Sequence, residues 1–263
     1  MIRFALAVVA GLGVAAYPVS LRAGDSHSAL PRFAAEGLVN AASYAPGPQS
    51  AGALVSLFGE NLAVRAEAAA GPPLPTELAG TQVLLSGVRV PLHYVSSGQI
   101  NFQIPYFLAL LLRPGSQFPV VVRHSGLESE PRMLTLGVSI GIFRFAPGPA
   151  VFHAANFQPV TPASPARGEE WLALYATGLG LTSPMTETGA GGAAQEPFNR
   201  TIADTQIRLG NRMLPVAYSG LAPHLAGVYQ VNFQVPPDSP LGRVPLVLLT
   251  GGMASPAIEI EVR

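Results

Sequence analysis

The chain has 263 residues, 49% apolar and only 11% charged, where ordinary soluble domains carry about 25% charged residues; the length allows two domains and the composition excludes disorder. Formal charge is zero and every basic side chain is an arginine, scattered along the chain, which argues against a nucleic-acid stripe and against a charged tail. There is no cysteine, which excludes a disulfide framework, a thiolate metal site, a thiol nucleophile and a lipid-anchored cysteine.

Residues 1–23 read as a signal peptide. Arg3 supplies the positive start, Phe4 to Ala16 the apolar core, and small residues offer cleavage after Ala16, Ser20 or Ala23. The core is short of the roughly 20 residues that span a bilayer, so the expected mature protein is exported, with no membrane span. A linker, 24–36, follows. "LVSLFGENL" (Leu54–Leu62) is an apolar strand closed by a turn, and "TQVLLSGVRVPLHY" (Thr81–Tyr94) is two strands around Ser86-Gly87, a pair suited to a tight hairpin. "QINFQIP" (Gln99–Pro105) alternates strictly and stops at a proline. "YFLALLL" (Tyr106–Leu112) is at most a helical turn, and "VVVRHSGLES" (Val120–Ser129) is a further strand and turn.

The same order then recurs. "WLALYATGL" (Trp171–Leu179), "TQIRLGNRMLPVAY" (Thr205–Tyr218), "QVNFQVP" (Gln230–Pro236) and "LVLLTGGMAS" (Leu246–Ser255) match the first series, at an offset that drifts from about 117 to 131 residues as loops change length. The fold class that follows is all-β: two tandem immunoglobulin-like β-sandwich domains related by internal duplication. The expected boundaries are 37–137 for the first domain, 138–159 for an inter-domain segment and 160–263 for the second. The Pro-rich joining stretch Gly148–Glu170 holds apolar runs and is expected to pack against a domain; Thr186–Thr201 has the composition of a mobile loop.

Several strings, among them "LVNAASYAPG" (Leu38–Gly47), "VPLHYVSSGQINFQIP" (Val90–Pro105), "SPARGEEWLALYATGLG" (Ser164–Gly180) and "YSGLAPHLAGVYQVNFQVP" (Tyr218–Pro236), resemble an uncharacterised C-terminal domain of exported bacterial proteins, first described from Solibacter-type Acidobacteria. Each half is also similar to immunoglobulin-like domains of the IPT/TIG type. The resemblance implies export and a pair of sandwiches. It implies no activity and no catalytic residue. Members of that family usually carry the unit attached to other modules, whereas little precedes it here.

Catalytic chemistry is sparse. Only Asp25, Asp204 and Asp238 supply aspartate, the five histidines form no HExxH pattern, and there is no G-x-S-x-G elbow. No cofactor or metal is expected, and the expected role is non-catalytic, at the cell surface or outside the cell, toward a protein or glycan. A carbohydrate-binding module pair is the first alternative and a secreted hydrolase, built on a Ser-His-Asp set with Asp204 or Asp238, the second. The candidate binding face is the amide row of each repeated string, Gln99, Asn101 and Gln103 with Gln230, Asn232 and Gln234, since amides donate and accept at once. The same row in an inherited scaffold also suits a register-holding role, and that reading is preferred; the contact residues are then expected in loops such as Thr186–Thr201. Trp171, the only tryptophan, occupies the place of Leu54 and is expected in a core.

Overall fold

The computed structural model describes residues 30–111 and 113–263; the signal peptide expected at 1–23 and linker residues 24–29 lie outside them. Fourteen strands carry the architecture. In the first half they are β1 (Arg32–Asn40), β2 (Leu54–Glu60), β3 (Thr81–Leu85), β4 (Leu92–Val95), β5 (Gln99–Gln103), β6 (Gln117–His124) and β7 (Arg132–Thr135). In the second they are β8 (Val151–His153), β9 (Trp171–Thr177), β10 (Thr205–Leu209), β11 (Arg212–Leu221), β12 (Tyr229–Gln234), β13 (Gly242–Thr250) and β14 (Ile258–Val262).

The duplication is visible in the pairing. One sheet of the first half runs β1-β2-β5-β4 and the other β7-β6-β3; the second half repeats them as β8-β9-β12-β11 and β14-β13-β10. Register repeats as well. Leu54 opposes Gln103 and Val55 opposes Phe102, while Trp171 opposes Gln234 and Leu172 opposes Phe233. Both halves slip register at the equivalent place, between Leu92 and Tyr94 and between Val216 and Tyr218, so this bulge is inherited as well. The halves differ in one respect: β11 is long enough to pair with β10 in one sheet and β12 in the other, whereas the first half breaks the same run at Val90-Pro91.

Strand alternation sets the cores. Ile100, Phe102 and Ile104 are fully buried in the first, and Val231, Phe233 and Val235 in the second, because a period of two sends every other side chain to one face. Ser86-Gly87 and Gly210-Asn211 close the two expected hairpins. The stretch 138–159, expected to join the domains, belongs physically to the second one: Gly141–Ile142 and β8 both pair with β9, and Ile142 and Val151 lie in its core. A third apolar cluster lies between the halves. Ala41, Ala42 and Leu54 of the first meet Phe143, Ala150, Phe152, Ala222, Leu225 and Val228 of the second. Phe145 stacks on Phe152 at 5.3 Å between ring centroids. The domains are therefore docked in part through an apolar contact.

Candidate functional site

The amide rows are placed as follows. Gln99, Asn101 and Gln103 are buried, whereas Gln230 and Asn232 are half-buried and Gln234 is exposed. Gln99 Nε2 donates to Asn101 Oδ1 at 2.9 Å, and Gln230 Nε2 donates to Asn232 Oδ1 at the same distance. Ser56 Oγ also donates to Asn101 Oδ1, at 2.9 Å. Neighbouring amides in one row thus satisfy one another along the strand, a period-two contact that alternation creates in both halves.

The last amide of each row behaves differently, and it defines the end of each sandwich. Gln103 Nε2 donates to the Gly52 carbonyl at 3.1 Å, and Gln234 Nε2 donates to the Glu169 carbonyl at 2.8 Å. These are equivalent bonds. Gln103 Oε1 then accepts the main-chain N–H of Gly189 in the second domain at 2.7 Å. Gln234 Oε1 has no partner among the described residues.

Around Gln103 the whole end of the first sandwich is covered by loops of the second. Leu54 N–H donates to Thr177 Oγ1 at 2.9 Å, and that hydroxyl donates onward to the Gly227 carbonyl at 2.7 Å. Leu74 N–H reaches the Gly189 carbonyl at 2.9 Å, and Tyr106 N–H reaches Thr188 Oγ1 at 3.1 Å. Gly227 has φ +68°, and a Cβ there would lie 2.9 Å from Leu54 Cδ2, so only glycine lets the two surfaces close. The loop Thr186–Thr201 is therefore a clasp: Thr188 and Gly189 hold the first domain, and Asn199 Oδ1 accepts Ala193 N–H at 2.8 Å. Its Gly- and Ala-rich composition serves close backbone approach, which reads as looseness when seen without its partner.

His93 sits in this junction with its Nε2 3.2 Å from the Ala226 carbonyl, so that nitrogen carries the proton. Burial pushes its pKa below the ordinary 6.5. The unfolded chain then binds the extra proton first, so the stability held above the ordinary histidine value is lost as pH falls below it. Thermal unfolding followed from neutral to mildly acid pH is expected to show this slope, and His93→Gln is expected to flatten it.

Among the described residues, the equivalent end of the second sandwich is open. Glu169 stands where Gly52 does, Trp171 where Leu54 does, Pro215 for Pro91, Ala217 for His93, Gln234 for Gln103 and Pro236 for Pro105. Together with Leu214, Val216, Val235 and Pro237 they line a groove of 430 Å³. Trp171 is 45% exposed where Leu54 is fully buried. The expectation that Trp171 is a core residue is thus overturned. Its position in the register is the expected one, but position 171 faces the outer side of β9, and nothing in the second domain covers that side as the second domain covers Leu54.

One constellation pairs histidine and serine with a glutamate, where the sequence pointed to Asp204 or Asp238. His153 Nδ1 lies 2.6 Å from Glu170 Oε1, and its Nε2 lies 3.2 Å from Ser164 Oγ and 3.1 Å from the Ser164 carbonyl. Serine, histidine and carboxylate stand in the order of a hydrolytic triad. The anion-stabilising donors of such a site are missing from the serine turn: Ser164 N–H is committed to Thr161 at 3.0 Å, and the next residue is Pro165. Glu170 Oε2 accepts Arg167 N–H at 3.0 Å. The set ties the 161–170 excursion back to β8. Among the described residues no group of three or more metal-ligating side chains occurs, and no helix is long and apolar enough to cross a membrane.

No protein-family model and no curated protein matches the chain. Solved structures with some likeness include SGBP-B of the Bacteroides ovatus mixed-linkage glucan utilization locus, in complex with a mixed-linkage heptasaccharide, at 13% identity and a TM-score of 0.35, over 89% of this chain and 46% of that one. SGBP-B from a complex xyloglucan utilization locus in Bacteroides uniformis follows at 13% identity and a TM-score of 0.24, over 81% and 45%. An endo-fucoidan hydrolase shows 11% identity and a TM-score of 0.16, over 83% and 29%. The chain spans less than half the length of each, and superpositions this loose carry no functional meaning.

Proposed function

We propose that this is an exported, non-catalytic protein that makes an extracellular or cell-surface contact through the open end of its second domain. The observation that carries the reading is the exposed indole of Trp171, set in a groove whose counterpart on the first domain is occupied. A solvent-facing tryptophan in an apolar, amide-edged groove is the side chain most often found to anchor an interface. The groove has no basic lining residue, which disfavours phosphate and nucleic acid. The serine turn at Ser164 offers no anion hole, which supports the non-catalytic reading. The test is binding of purified protein to envelope fractions and to immobilised glycans, with Trp171→Ala beside it. The variant is expected to lose roughly 30-fold in affinity, the weight of one anchor residue, with its melting temperature unchanged. A loss below about threefold, within the range of a peripheral contact, would remove Trp171 from the contact.

A second reading has its own observation. Glu169 and the free Oε1 of Gln234 flank the indole and both are acceptors, so a neutral sugar could stack on the ring and donate hydroxyls to them. Titrating soluble neutral oligosaccharides against the emission of the single tryptophan decides it.

A further inference from the structure

We infer that the occupant of the Trp171 groove is the loop end of another β-sandwich domain, presenting a glycine-bearing turn with a free main-chain N–H, docked as the second domain docks on the first. The inference rests on reading this end as a contact face. It is carried by the repetition of an interface that the molecule already contains. Two of the first-domain positions that meet the Thr188–Gly189 and Ala226–Gly227 turns keep an anchoring side chain at the groove, Gln103 as Gln234 and Leu54 as Trp171, while His93 is replaced by Ala217 and Tyr106 by Pro237.

Two features point to a protein loop. Gln103 and Gln234 are oriented alike by a bond from Nε2 to the carbonyl two residues before the strand. This leaves each Oε1 directed out of the domain, and in the one case with a partner it receives a glycine N–H at 2.7 Å. The amide is held before any partner arrives, which lowers the cost of binding. The second feature is the exchange of Leu54 for Trp171. Leu54 packs so closely on Gly227 that a Cβ would not fit. Trp171 presents a large apolar side chain at the equivalent register position, so the two ends share a mode of docking.

The test extends the full chain. The register places Arg263 where Gly137 stands in the first half, so a second copy of residues 138–263 joined after Arg263 reproduces the native linkage and raises the local concentration of the loop end to the millimolar range, about 1 mM. The tryptophan of the added copy is changed to leucine, leaving Trp171 as the only indole. The expected result is a blue-shifted Trp171 emission with acrylamide quenching reduced about threefold or more, as a buried anchor requires. Gln234→Ala is expected to lower the docked-to-open ratio about two- to tenfold, the weight of one hydrogen bond.

Circular dichroism and calorimetry report whether the added copy folds. If it does not, the probe is the full-length chain carrying Leu54→Arg and Trp171→Leu, whose own loop end is uncovered; it is titrated into the native protein. With a folded probe, unchanged quenching overturns the inference, and so does protection that Gln234→Ala leaves intact. Protection of Trp171 by a soluble neutral oligosaccharide, with none from either domain probe, overturns it in favour of a glycan while the contact face itself stands. Loss of every effect of Trp171→Ala on envelope binding would instead remove the face.

Discussion

Phe233→Ala is expected to lower the stability of the second domain by about 3–5 kcal/mol, the range measured when a fully buried phenylalanine is removed and its cavity cannot collapse. Phe233 is fully buried, opposes Leu172 on one side and Val216 on the other, and lies in the core of the second domain. Phe102→Ala is expected to do the same to the first domain, where Phe102 opposes Val55 and Leu92. The cores are distinct, so each substitution should move chiefly its own unfolding transition, and denaturant titration with a probe in each domain reads the two apart. A loss below about 1 kcal/mol at Phe233 would mean that the strand buries its other face.

Leu54→Arg is expected to separate the domains. Leu54 is fully buried against Gly227, and a charge held there without a partner would cost at least about 3 kcal/mol. The chain has a way out that a core residue lacks: it can undock and hydrate the guanidinium. The predicted signature is therefore a larger radius of gyration by small-angle scattering and two resolved unfolding transitions, with far-ultraviolet dichroism retained. Thr177→Val should act in the same direction more weakly. It strands the Leu54 N–H and the Gly227 carbonyl, at about 1–3 kcal/mol for each group that water cannot reach. Retention of the native radius in Leu54→Arg would show that the junction does not depend on this contact.

The sequence by itself determined the two sandwiches, their internal duplication and the core faces. Strand alternation is local and strict, so Phe102 and Phe233 could be assigned to cores from three residues on either side. The hairpins at Ser86-Gly87 and Gly210-Asn211 were equally legible, because a two-residue turn is encoded where it occurs. What only the tertiary structure decided is everything on the outer face. Leu54 and Trp171 are equivalent in sequence and in register, yet one is sealed and the other open, since burial there depends on a second body more than 100 residues away. The Thr186–Thr201 loop looked mobile for the same reason: glycine and alanine in sequence do not reveal whether they are small in order to move or small in order to let another backbone approach. The Ser164–His153–Glu170 set and the His93 contact also unite residues that no local pattern connects. Covalent neighbours and strand period fix what a segment does to its own domain. What it offers to another is settled by which surfaces remain uncovered after the domains have docked.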